Sequence, residues 1–173
     1  MMTSSSEALR DSIAAMSTIR SLTQRSGESA LEEVAAVLQR LARSPHWRAT
    51  SWRAATPSEE LLYELAVLAG TLSLYLVSDG QGLTSPPHEH GTWTVIAGVR
   101  GNEANDLYRR VSGSRVAPIN RVVVGPGESM VLAADAIHST EVVGEGPTFH
   151  LHLYGRPLSE LDGFASRVFA KHD

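Results

Sequence analysis

The sequence predicts a mainly β fold, a sandwich or barrel, with helices confined to its N-terminal third. Three observations predict it. From about residue 63 onward the chain breaks into short runs rich in Leu, Val, Ile, Thr and Tyr, the texture of strands. Clusters of Gly, Pro, Asn and Asp separate those runs, at the spacing found in all-β domains. Upstream, apolar residues recur at three- and four-residue steps, the period of an amphipathic helix.

Taken in order, Leu9, Ile13, Met16 and Ile19 predict a first helix, and Leu31, Val34, Leu38 and Leu41 a second. Ser29 followed by Glu32 has the form of a capping box, which satisfies the free N–H groups at a helix start; Ser44-Pro45 should end that helix. Thr56-Pro57-Ser58-Glu59 reads as another helix start, with Pro at the first helical position. Strands are expected at 72–77, 92–99, 106–111, 121–124, 129–133, 139–143 and 148–154. Turns fall between them, among them Gly101-Asn102 and Gly125-Pro126-Gly127. A helical segment over 1–62 packed on a barrel over 63–173, as one structural domain, is the expected organisation. The absence of any long repeat argues against a propeller or solenoid.

A length of 173 residues, 42% apolar and 20% charged with a net charge of −4, fits one soluble globular domain. All fifteen basic residues except Lys171 are Arg; they are scattered, which argues against a nucleic-acid partner. No run approaches the ~20 apolar residues of a membrane span. Arg10, Asp11 and Arg20 interrupt the N-terminal segment where a secretion signal would need an apolar core, so a cytoplasmic location is expected. Composition leaves self-association open. With no Cys, there is no disulfide, thiolate ligand, Cys nucleophile or Cys-derived crosslink, and any metal must use His, Asp or Glu.

Five of the seven histidines lie between positions 88 and 152: His88-Glu89-His90, His138, and His150-Leu151-His152. On a strand, side chains alternate faces, so His88 and His90 share one face and Glu89 points away. Two imidazoles on one face can grip one metal, and His138, on a strand antiparallel to the first pair, supplies a third ligand. His150, His152 and Tyr154 likewise share a face, either into the same barrel or outward with Phe149, Leu151 and Leu153 as core. Trp93 reads as core, Thr92 and Thr94 as pocket-lining, and Tyr108, Arg109 and Arg110 as an exposed strand.

These residues carry a resemblance to the cupins. Gly82 precedes His88 and His90, and Pro126-Gly127 precede His138, as in the two cupin motifs. The resemblance implies a double-stranded β-helix (jelly-roll) barrel. The position of the usual cupin carboxylate ligand is held by Thr94 or Val95, so the chain is most similar to the three-histidine thiol dioxygenases that act on cysteine or 3-mercaptopropionate. The stretch His88-Glu-His90-Gly-Thr-Trp93-Thr-Val-Ile96 resembles their first motif, and Thr148-Phe-His150-Leu-His152-Leu-Tyr154-Gly155 their Ser-x-His-x-Tyr signature. His150 occupies the place of that Ser. Tyr63-Glu64-Leu65 falls where cysteine dioxygenases carry Tyr-x-Arg, which argues against cysteine as the substrate.

The resemblance implies Fe(II) held by His88, His90 and His138, with a small thiol and O2 as substrates. His152 and Tyr154 would be catalytic, and His150 and Arg167 would bind substrate, Arg167 holding a carboxylate as a planar fork. Arg156, beside Pro157, reads as an exposed turn. Imidazole alone suits Fe(II), Zn and Ni alike. Two rival functions follow: a Zn or Ni hydrolase or isomerase acting through metal-bound water, and a ligand-binding cupin without activity.

Overall fold

The computed structural model describes residues 4–25, 28–48, 52–161 and 167–171. Three helices, α1 (Ser4–Thr23), α2 (Glu28–Ala42) and the single turn α3 (Pro45–Arg48), precede the strands. The strands are β1 (Glu60–Leu68), β2 (Leu72–Asp79), β3 (His88–Glu89), β4 (Thr94–Arg100), β5 (Asn102–Ser112), β6 (Arg115–Val124), β7 (Ser129–Leu132), β8 (Ile137–Val143) and β9 (Phe149–Tyr154). Two-residue strands β10 (Arg167–Val168) and β11 (Ala170–Lys171) follow a short turn at Leu158–Glu160. They form two sheets, ordered β1-β2-β9-β4-β7 and β10-β3-β8-β5-β6-β11. All pairings within them are antiparallel except β11 with β6. This is the predicted mainly β fold, two largely antiparallel sheets with helices on the N-terminal side.

The helices form for the expected reason and dock on the first sheet. In α2, Val34, Leu38 and Leu41 are buried in one core with Met16 and Ile19 of α1 and with Leu74, Leu76, Val95, Leu151 and Leu153 of the sheet. Ile13, expected in the stripe, is instead 64% exposed, and Ser12 takes the inner position, its hydroxyl donating to the Ala8 carbonyl. Helix α2 already includes Glu28, one residue before the expected Ser29 cap, whose side chain lies outside the described residues. Its far end is pinned to the barrel: the Arg43 guanidinium donates twice to the Gly127 carbonyl, at 3.1 and 2.7 Å.

The predicted helix at Thr56 does not form. Thr56 N–H and hydroxyl both donate to the Glu59 carboxylate at 2.8 Å, and Glu59 N–H returns a bond to the Thr56 carbonyl. Only the Glu59 half of a capping box forms, its carboxylate accepting from Thr56 N–H, and Ser58 adopts a left-handed φ of 62°, which no helix accepts. The chain turns into β1 instead. That strand, absent from the expected set, pairs with β2 in a hairpin with Glu60 opposite Asp79 and Leu62 opposite Val77. Gly98 in β4 shows why the barrel closes there: a Cβ would lie 2.1 Å from the Gly125 carbonyl oxygen, so only glycine admits the turn that leads into β7.

The inner strands β2 and β9 of the first sheet are buried on both faces. Tyr63 and Leu65 of β1 face the helices, whereas Glu60 and Leu62 face the barrel interior. The second sheet closes the other side, with Tyr108, Val116, Ile137 and Phe169 as a smaller core. Tyr108 is therefore buried rather than exposed, its hydroxyl 2.9 Å from Ser139 Oγ. Arg110 stacks over Phe169 and pairs with Glu89 at 2.9 Å.

Candidate metal centre

Strand β3 lies antiparallel to β8 with His88 directly opposite His138, and His90 follows immediately after β3. The three rings converge: their centroids lie 4.4 to 5.2 Å apart, and one ligand nitrogen from each falls within 4.8 Å of the others. Among the described residues no carboxylate joins this group. His88, His90 and His138 could together hold one metal ion.

The outer partners of two ligands fix which nitrogen is bare. His88 Nδ1 lies 2.9 Å from the Pro86 carbonyl, which can only accept, so Nδ1 carries the proton and Nε2 the lone pair. His138 Nδ1 donates likewise to Asn105 Oδ1 at 2.8 Å. The Asn105 amide is oriented by its own NH2, which donates to Glu103 Oε1 at 2.9 Å. Such partners orient ligating imidazoles in metal sites generally. His90 Nε2 and His138 Nε2 are 3.0 Å apart, about the separation of two nitrogens bound at right angles to one ion at ~2.0–2.1 Å. The donor set thus fits a first-row divalent ion.

Electrostatics agree with that fit. Burial holds His88 below its ordinary value; burial and then the His88 ring push His90 down to about 3. Burial, then the His88 and His90 rings, hold His138 well below. All three are neutral at neutral pH, the form that binds a cation.

The triad opens into a cavity of about 730 Å³. His152 and Tyr154, predicted as catalytic, line the same cavity. The Tyr154 ring lies 5.1 Å from that of His90, and its hydroxyl 3.3 Å from His152 Nδ1. Burial pushes the Tyr154 phenol well up, so it keeps its proton. His152 Nε2 is buried without a hydrogen-bond partner.

Other predicted residues fall elsewhere. His150 shares the inward face but does not line the cavity; it lies beneath it, with Nε2 donating to the Val124 carbonyl at 3.1 Å and Nδ1 3.9 Å from Glu103. Leu65 faces the helices, so it does not stand at a substrate-facing position; on β1 that face carries Glu60 and Leu62. Thr92 and Thr94 are buried but outside the cavity lining, while Trp93 packs on the core. Arg167 has its backbone paired opposite Glu89, beside the first metal motif; its side chain lies outside the described residues. Arg156, set aside as a turn residue, is exposed and lines the cavity.

Sequence reasoning passed over the acids of this site. Glu60 and Asp79 line the cavity, and Glu103, fully buried, lies behind Asp79. Burial, then Glu103 and Glu60, push Asp79 up to about 7, and burial drives Glu103 in the same direction. The available signal was Glu103-Ala-Asn105, two polar residues at alternate positions on a strand whose expected start, residue 106, lay too late to include them.

No protein-family model matches this sequence, and no curated protein matches it. Several solved structures are similar to part of this chain. A cupin superfamily protein from Desulfitobacterium hafniense is 16% identical, with a TM-score of 0.48 over 65% of this chain and 89% of its own. KdgF from a Halomonas species is 16% identical, with a TM-score of 0.49 over 66% of this chain and 94% of its own. An oxalate oxidase in complex with the substrate analogue glycolate is 18% identical, with a TM-score of 0.48 over 62% of this chain and 56% of its own. The fold itself rests on the strand order given above. No helix among the described residues is long and apolar enough to cross a membrane.

Proposed function

We propose that His88, His90 and His138 hold one Fe(II) and that the chain oxidises a small thiol with O2 to a sulfinic acid. The observation that carries this reading is a triad of neutral imidazoles that no described carboxylate joins. Three neutral donors would leave the full double positive charge on a bound ion, which would attract an anionic thiol substrate into the cavity. Fe(II) supplies the means of bringing thiolate and O2 together, and the overall change is R–SH + O2 → R–SO2H, with sulfur oxidised, O2 reduced and both oxygen atoms on sulfur.

The chain's own residues do the rest. Pro86 and Asn105 hold His88 and His138 in the ligating tautomer. Tyr154, protonated and in the wall, donates its O–H toward whatever occupies the cavity beside His90 or toward His152 Nδ1. Leu62, Val77 and Leu158 give the cavity an apolar side that excludes water from a bound alkyl chain. The resemblance to thiol dioxygenases in the motifs around His88 and His152 supports the choice of thiol and iron over hydrolysis with Zn or Ni.

The test is O2 uptake by the full chain, loaded anaerobically with Fe(II), Zn or Ni, against a panel of small thiols. Uptake matched by sulfinate formation with iron alone is expected. Equal turnover with Zn, or no uptake with any thiol, contradicts the assignment.

A further inference from the structure

Asp79 at the end of β2 and Glu103 near the start of β5 are both buried, and their carboxyls hydrogen-bond to each other. An ionised carboxylate only accepts, so that contact requires a proton held between the two. No described neighbour supplies one: Asp79 Oδ1 and Glu103 Oε2 receive no N–H or O–H from the protein. Among the described residues no Arg or Lys pairs with either acid. The groups facing the pair do not replace the proton. Glu60, opposite Asp79 in the β1–β2 register, adds a further negative charge. His150 of β9 spends its Nε2–H on the Val124 carbonyl and turns a bare, unpartnered Nδ1 toward Glu103 at 3.9 Å. The Thr148 hydroxyl is unpartnered as well.

A single amide joins this pair to the triad. Glu103 Oε1 accepts from the Asn105 NH2 at 2.9 Å, and Asn105 Oδ1 accepts from His138 Nδ1–H at 2.8 Å. Asn105 and His138 are both buried, so the chain of bonds runs out of contact with water. A cation at His138 Nε2 strengthens Nδ1–H as a donor, polarises the amide and strengthens its bond to Glu103. A bound divalent ion also favours ionised carboxyls around it. Both effects act against the shared proton. Asp79 lines the cavity, which gives that proton a way out.

We propose that Asp79 and Glu103 share one proton in the metal-free chain and give it up when His88, His90 and His138 take up a divalent cation. The carboxylate that the triad lacks then acts from behind His138, through Asn105. This rests on the triad as a metal centre and is independent of the thiol reading. One O–H bond of the pair breaks, no electron moves, and the proton passes to water through the cavity. Burial, then Glu103 and Glu60, hold Asp79 up at about 7, and burial raises Glu103 to about 7, so the exchange falls near neutral pH.

The metal-free full chain is titrated with Ni(II) by calorimetry at pH 6.5 in buffers of different ionisation enthalpy, which counts the protons released. Wild type should release about one proton per ion more than the double variant Asp79→Asn, Glu103→Gln. Its affinity should rise about tenfold per pH unit relative to that variant between about pH 6 and 7. Protons from ligand histidines or metal-bound water would persist in the variant. Glu60→Gln should still release the proton; loss of the release there would assign it to Glu60 and overturn the pair. Infrared difference spectra of wild type before and after Ni(II) need no variant: a protonated-carboxyl band should vanish and a carboxylate band appear. Ni(II) binding with equal proton release in wild type and double variant, or with no carboxyl change in the infrared, would overturn the shared proton and leave the metal centre standing. Absence of Ni(II) binding would overturn both.

Discussion

On β9, Phe149, Leu151 and Leu153 point to the helices, while His150, His152 and Tyr154 point into the barrel; all six are buried. The helix-side set packs apolar against apolar. The inward set retains buried polar atoms without partners, at His150 Nδ1 and His152 Nε2, a cost that folding alone gives no reason to accept. One strand thus separates the two tasks by side-chain alternation. Docking α1 and α2 on the outer face lets stability come from that side and leaves the inner face to chemistry.

The largest effect that sharpens this comparison is His138→Ala. It removes a ligand and the Asn105 contact together, so metal content and turnover should both vanish, while Leu151→Ala should leave metal stoichiometry intact. Metal analysis of the two purified variants checks this. Equal metal content in His138→Ala and wild type would show that the inward face is not a metal centre.

Next is Leu151→Ala itself. Leu151 is fully buried in the shared helix–sheet core, so its truncation should cost about 2–5 kcal/mol. Chemical denaturation of the metal-free chain measures it. A loss below about 0.5 kcal/mol, the scale of a surface substitution, would mean that the helices contribute little to the barrel.

The inward face also predicts opposing pH dependences in the metal-free chain. Burial holds His88, His90, His138, His150 and His152 below the ordinary histidine value. The unfolded chain therefore binds more protons below about 6.5, and stability is lost as pH falls. Glu103 and Asp79 are shifted the other way, from 4.5 and 3.8 up to about 7. Their contribution is present at low pH and lost as pH rises through that window. Glu103→Gln removes one of those losses, so relative to wild type it should be more stable at pH 7.5 than at pH 5. Thermal melts across pH decide it; the opposite slope would mean that Glu103 is ionised in the folded chain.

The smallest effect is Tyr154→Phe. Deleting one hydroxyl that touches His152 and the cavity should lower turnover by about 2- to 10-fold, the scale of one hydrogen bond, with metal content unchanged. Unaltered kinetics would assign Tyr154 to packing against Tyr75 and Val77.

The three-histidine cluster was legible because its information is local: His88 and His90 lie two apart, and one antiparallel pairing brings in His138. Alternation also placed His152 and Tyr154 on one face, though it left open which face turned inward until the helices were seen to cover Leu151 and Leu153. The helix stripe failed at Ile13 because serine can be buried in a helix once its hydroxyl bonds the preceding turn. Thr56-Pro57-Ser58-Glu59 failed because the same bonds close a cap or a turn, and the left-handed Ser58 selects the turn. Strand β1 was missed because, with Leu or Tyr on both faces, it has no clean alternation. Asp79 and Glu103 were not legible because acids at strand ends ordinarily face water, and only the packed sheets bury these two.

The most direct test of the central claim is oxidation of the preferred thiol under isotopically labelled O2 by the iron-loaded chain, with mass analysis of the product. Both labelled atoms of one O2 molecule in a single sulfinate, absent from His138→Ala, is the predicted result. A disulfide product, or a sulfinate carrying unlabelled oxygen from water, would contradict it.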